Sequence, residues 1–190
     1  MRSTLLALLL LLAATQARAG EPIVASGARD GATPAWTITG TAPDGWTADC
    51  CTYARAIGVD VVVYRGEWTG EPQRVMVLNV WPAKLPSLQA ELAADRTRYH
   101  QRDPAGRDAT VAIAQPHMRC LANVYEGSDH LDDMVVFCDP GQASGVRLSW
   151  SMTLAANEPQ RRPLLDALLR VVAGTAHRRG ATALPAPAQP

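Results

Sequence analysis

From residue 117 to 154 the chain reads as three antiparallel strands in a meander, at 118–125, 134–139 and 145–154. Val146, Leu148, Trp150, Met152 and Leu154 alternate with Arg147, Ser149, Ser151 and Thr153, the period of two that a strand with one buried face requires. Folding the first hairpin about Asp129 sets Cys120 opposite Cys138, Ala122 opposite Val136 and Val124 opposite Met134. Folding the second about Gln142 sets Cys138 opposite Val146, Val136 opposite Leu148 and Met134 opposite Trp150. All even-numbered positions then share one apolar face, and a slip of one residue would destroy that face.

The remaining pattern supplies the other elements. Trp36, Ile38 and Gly40 alternate with threonines and predict a strand over 36–41. Pro43-Asp44-Gly45 is a turn in which proline presets φ and glycine permits a positive one. Two β-branched runs, 59–64 and 74–81, predict paired strands joined by a hairpin over 66–72, and being apolar on both sides they predict a sheet covered on both faces. A first helix is expected over 87–101, capped by Ser87, with Leu88, Leu92 and Tyr99 on its apolar stripe. After a loop over 103–108, residues 109–115 alternate as a further strand. A second helix is expected over 157–173, with Pro159 in its first turn, Leu165, Leu168, Leu169 and Val172 inward, and Gly174 just past its end.

The ends of the chain read differently. Arg2, the apolar run 5–14 and Ala17-Arg18-Ala19 have the three parts of a secretory signal peptide, with cleavage after Ala19. The apolar run is too short for the ~20 residues that span a bilayer. The divisions are therefore a signal peptide over 1–19, a loose Gly-rich arm over 20–35, one α+β domain over 36–174, and an Ala/Pro-rich disordered tail over 175–190. The mature protein is expected to be soluble and periplasmic or secreted.

Charge and cysteine content narrow the function. Acidic and basic residues balance at 18 each, and Lys84 is the one lysine, so there is no electrostatic case for nucleic acid. Four cysteines, Cys50, Cys51, Cys120 and Cys138, suit an oxidising compartment. The meander favours a Cys120–Cys138 disulfide, which leaves Cys50 and Cys51 as a vicinal disulfide or as free thiols. Metal-binding C-x-x-C spacing is absent.

The order of elements resembles the PsbP-like fold of small exported domains. The resemblance rests on Pro43-Asp44-Gly45-Trp46, the strand pair 59–64 and 74–81, the helix 87–101 with Asp95 and Tyr99, and the strand 146–154 leading into 164–172. It covers about 36–174 and implies an α/β/α sandwich: an antiparallel sheet with a C-terminal meander, flanked by two main helices. Members of that fold are mostly assembly factors, chaperones and partner-binding modules, so the resemblance also implies a non-catalytic role. Fold alone does not fix function.

Several groups of residues carry candidate chemistry. Ser128-Asp129-His130 has the residue types of a hydrolase triad, but contiguous residues in a turn cannot align nucleophile, base and orienter. No G-x-S-x-G elbow is present. Glu126, Asp129, Asp132 and Asp133 could supply oxygens to a hard cation, without the spacing of an EF-hand. His117, Met118, Cys120, His130 and Met134 could suit copper, but the register places Met118, Cys120 and Met134 on the core face. No catalytic residue, cofactor or metal is expected. Of Trp46, Trp68 and Trp81, Trp68 stands in the 66–72 hairpin beside Glu67, as an exposed anchor for a protein partner or folded back on the sheet edge.

The expected function is that of an envelope binding or accessory protein working through protein–protein contact. Two alternatives compete with it. One is a small secreted hydrolase whose site joins His100 to Asp95 or Asp103. The other is an envelope assembly subunit acting through the tail. A histidine within hydrogen-bond reach of a carboxylate in a pocket would favour the hydrolase.

Overall fold

The computed structural model describes residues 20–69 and 74–180. Residues 1–19, expected as a signal peptide, residues 70–73 at the end of the expected 66–72 hairpin and residues 181–190 of the expected tail lie outside the described residues. The protein is mixed α+β, with antiparallel strands in two sheets and three helices.

Strands β1 (Pro22–Gly27) and β2 (Trp36–Thr41) come first, then β3 (Trp46–Asp49), helix α1 (Tyr53–Ala56), β4 (Val61–Arg65) and β5 (Val75–Pro82). Helix α2 (Leu88–Arg102) leads to β6 (Arg107–Ala112) and the meander β7 (Arg119–Glu126), β8 (Leu131–Asp139) and β9 (Val146–Ala155). Helix α3 (Arg161–Gly174) and β10 (Ala176–Arg179) follow. The large sheet runs β3-β4-β5-β9-β8-β7-β6 and the small one β1-β2-β10. Strand β9, in the middle of the large sheet, is the longest strand among the described residues.

The two faces of the large sheet are covered by different elements. Even-numbered residues of the meander, among them Val136, Leu148, Trp150 and Met152, pack with Leu164, Leu168 and Val171 of α3 and with Ile23, Trp36 and Ile38 of the small sheet. On the other face Leu88 and Leu92 of α2 pack with Phe137, Trp81, Leu121 and Val135. Ser87 accepts a hydrogen bond from the Ala90 amide at 3.1 Å, so α2 starts where its cap residue sits. Gly45 takes the positive φ that the Pro43 turn requires, and the Trp46 amide returns to the Pro43 carbonyl at 3.0 Å.

The first hairpin of the meander has the expected register, with Cys120 facing Cys138. The two cysteines form a disulfide with their Cα atoms 4.2 Å apart. The second hairpin corrects the expectation. Cys138 faces Leu148, Val136 faces Trp150 and Met134 faces Met152, two residues further along than the Gln142 fold point gives. A 3-10 turn over Gln142–Ser144, closed by Gly145 with φ 70°, moves the fold point by one residue. One residue at the turn shifts the pairing by two, so every side chain keeps its face.

Both termini of the domain also depart from expectation. The arm over 20–35 is not loose: it contains β1, whose Ile23 and Ala25 are buried while Pro22 and Val24 face outward. The tail does not begin as a disordered segment. Ala176–Arg179 pairs antiparallel with β2, and Thr175 is fully buried. Helix α3 starts at Arg161, with Pro163 rather than Pro159 in its first turn, where a missing amide hydrogen costs nothing. Gly174 is its last residue, and the cap position falls to Thr175.

Two measurements test this packing. Thr175 accepts from the Trp150 indole at 3.0 Å and donates to the Val171 carbonyl at 2.7 Å, wholly inside the core. Thr175→Val should therefore lower unfolding free energy by about 1–3 kcal/mol, seen as a lower urea midpoint at unchanged slope. An unchanged midpoint would mean that the hydroxyl does not hold the indole. Replacing both Cys120 and Cys138 by alanine should cost about 3 kcal/mol on the chain-entropy account for a separation of 18 residues.

Candidate functional site

At the edge of the large sheet, β3 ends in a tight turn held by one carboxylate. Asp49 accepts hydrogen bonds from the amides of Cys51 at 3.2 Å, Thr52 at 3.1 Å and Ala54 at 2.9 Å. This serves the Ala54 amide in the first turn of α1, which the N-cap residue Thr52 leaves without a side-chain acceptor. Cys50 and Cys51 form a vicinal disulfide within that turn, and no free cysteine remains. Cys50 packs against the core, whereas Cys51 is exposed.

Tyr53 emerges from this turn beside Tyr64 and Trp68. The Tyr53 and Trp68 rings stack with centroids 4.8 Å apart and planes 15° apart. Tyr64 meets Tyr53 at 5.8 Å and Trp68 at 5.4 Å, edge to face in both cases. Such pairs contribute ~0.5–1.5 kcal/mol each beyond their buried area. All three rings stay partly exposed, and Glu67 is exposed. Trp68 thus combines the two expected outcomes, folded back on neighbouring rings yet still open on one side. Burial, with Tyr53, Asp49 and Glu21 close by, raises the Tyr64 phenol above its usual range, so the ring stays neutral. A cavity of about 300 Å³ lies beside the stack, lined by Tyr64, Arg65, Glu67, Trp68 and Arg74. Arg74 holds a φ of 66°, a left-handed conformation uncommon outside glycine.

A second polar group lies where α2 crosses the far edge. His100 Nε2 is 2.7 Å from Asp108 Oδ1, Arg96 Nε is 2.6 Å from Asp108 Oδ2, and Asn123 donates to Asp108 at 3.1 Å. The hydrolase reading expected Asp95 or Asp103 as the partner of His100. Asp95 lies five residues back, on another side of the helix, and binds the Tyr125 hydroxyl. Asp103 has left the helix and accepts from Gly106 and Ser128 amides at 3.0 and 2.7 Å. The Asp108 side chain is 4% exposed, and all of its described bonds tie α2 to β6 and β7. No Ser, Thr or Cys hydroxyl or thiol is bonded to His100 among the described residues. Burial alone would raise the Asp108 carboxyl, but bonds from His100, Asn123 and Arg96 outweigh it and hold it below the ordinary range.

The remaining candidates are drawn apart. Ser128, Asp129 and His130 form a turn in which Asp129 accepts from the Leu131 amide and His130 takes a φ of 65°. Glu126 pairs with Arg107 and Asp132 with Arg161, each at 2.6 Å, while Asp133 binds Thr153. Cys120 is consumed by its disulfide, Met118 and Met134 are buried, and His117 is exposed. Among the described residues no cluster of three or more His, Cys, Asp or Glu could hold a metal. No described helix is long and apolar enough to cross a membrane. Trp46 is buried, and Trp81 packs beneath α2.

Sequence reasoning missed Tyr53, Tyr64 and Asp49 as parts of one corner. The available signal was an aspartate just ahead of Thr52-Tyr53-Ala54, a helix-cap spacing. No protein-family model matches the chain, and no curated protein matches it.

Asp108 supplies a pH test. Its folded carboxyl titrates below the ordinary 3.8, so its contribution is present above that pH and is lost as pH falls through the folded value. Asp108→Asn should be less stable than the parent at pH 7, with the gap narrowing in urea titrations as the pH is taken from above 3.8 to below it. A gap that is the same above and below that pH would show that the carboxylate is not the stabilising group.

Proposed function

We propose that the protein is an exported, non-enzymatic binding or accessory domain of the cell envelope, with a PsbP-like layout, that grips a protein partner at the Tyr53–Tyr64–Trp68 corner. The observation that carries this reading is the half-open aromatic stack itself. Trp68 is held by two rings before any partner arrives, so little side-chain entropy remains to be lost on binding. Tryptophan, tyrosine and arginine are the residues on which binding energy concentrates, and Arg65 and Arg74 flank the stack. The left-handed Arg74 fits the same view, because backbone conformations of this kind gather at recognition sites.

The hydrolase alternative gains one observation, the His100–Asp108 pair at 2.7 Å. His100 faces a shallow cavity on the α2 surface beside Arg96 and Thr97 while Asp108 lies buried beneath it, and Thr97 donates to the Ala93 carbonyl of its own helix. A carboxylate with three side-chain partners serves a crosslink better than a relay, so the binder reading is preferred.

The test places a photo-crosslinking residue at Glu67 in the producing cell, with a control at Val111 on the opposite sheet edge. A discrete protein adduct is expected from position 67 and none from position 111. Trp68→Ala should weaken that association by at least ~2 kcal/mol. The same change should cost about 1–3 kcal/mol of stability, the value of the two ring contacts. Equal adducts from both edges, or a Trp68→Ala chain that fails to fold, would overturn the reading.

A further inference from the structure

The two disulfides of this protein do different physical work. Cys120–Cys138 joins two strands across 18 residues, and Cys138 is fully buried. It restrains the unfolded chain, and its Cys138 end is closed to attack while Cys120 is only partly buried. Cys50–Cys51 joins neighbours, so it closes no length of chain and restrains the unfolded state hardly at all. Nor does the turn depend on it. The Asp49 carboxylate already holds the amides of Cys51, Thr52 and Ala54, and Ala54 and Cys50 are fixed against the interior. What the vicinal pair does have is access, since Cys51 is exposed at the end of an edge strand.

We propose that Cys50–Cys51 is a thiol–disulfide exchange site for a dithiol reductant, whether a small dithiol or the paired thiols of an oxidoreductase. A thiolate of the dithiol attacks the open Cys51 sulfur, the Cys50–Cys51 bond breaks, and Cys50 leaves as a thiolate that takes up a proton. The second thiol of the reductant then attacks the mixed disulfide and releases Cys51. Two electrons pass to the protein, the two S–H protons of the reductant end on Cys50 and Cys51, and the reductant becomes a disulfide. Tyr53 follows two residues later, so its stack with Trp68 reports the change. The proposal stands independently of any partner at that corner.

The experiment titrates the full chain with dithiothreitol, quenches with acid, alkylates with iodoacetamide and digests with trypsin. Cleavage at arginine puts Cys50 and Cys51 on the peptide 30–55 and Cys120 and Cys138 on the peptide 120–147. Two alkyl groups are expected on 30–55 at reductant concentrations that leave 120–147 unmodified, with far-ultraviolet circular dichroism unchanged. Several results would overturn the proposal. Opening of 120–147 first, or of both peptides only as the protein unfolds, would do so. Alkylation of 30–55 with no reductant present would also do so, because the thiols would then never have been paired. No partner is needed in this assay, so its outcome is separate from that of the crosslinking test.

Discussion

The bond from the Trp150 indole to Thr175 is the contact on which the rest of the domain rests. Trp150 sits on the middle strand of the large sheet, faces Leu78 on one side and Val136 on the other, and is wholly buried. An indole in that position offers a large apolar surface but carries an N–H that must find an acceptor inside the core. Thr175 supplies it, and Thr175 can do so only because α3 has just ended and the chain turns into β10. This hydrogen bond therefore ties the junction between the helix and the last strand to the middle strand of the large sheet. Gln115 extends the same junction by donating to the carbonyls of Val172 and Thr175 at 3.1 and 2.8 Å.

With that face closed by α3 and the small sheet, and the opposite face occupied by α2, the two edges of the large sheet remain. The two edges differ in kind. At β6 most residues are exposed, and the polar groups nearby are mutually satisfied through the buried Asp108. At β3 the edge ends in a turn set by Asp49, and three aromatic rings are stacked without being covered. A saturated polar network has little left to offer a ligand, whereas a partly exposed aromatic surface still gains free energy when covered.

Much of this was legible in the chain, and the failures have physical causes. The meander was readable because period two over ten residues has no helical counterpart, and because parity survives the one-residue change at the Gln142–Ser144 turn. Ser87 marked its helix because capping is a local interaction between a side chain and an amide three residues on. Strands β1 and β10 escaped because each is short and mostly small or polar, and each exists only by pairing with β2. Their strand character is tertiary, so composition reads as arm and tail. The aromatic corner escaped for the same reason. Tyr53, Tyr64 and Trp68 sit on a helix, a strand and a hairpin, and they meet only after β3 and β4 pair.

That dependence on pairing bears on why the corner is ordered enough to serve as a site. A lone tryptophan in a Gly-containing hairpin would sample many rotamers, and ordering it on binding would cost roughly 0.5–1.5 kcal/mol. Here the order comes from the sheet. Thr47 and Tyr64 are cross-strand partners, Asp49 faces Val62, and the Asp49 carboxylate delivers Tyr53 to the ring that Tyr64 already presents. Trp68 then closes on a platform built by residues up to fifteen positions before it (Tyr53 to Trp68). The vicinal cysteines lie in the one turn through which that platform is assembled, so the chemistry of the pair and the geometry of the rings share a single piece of backbone.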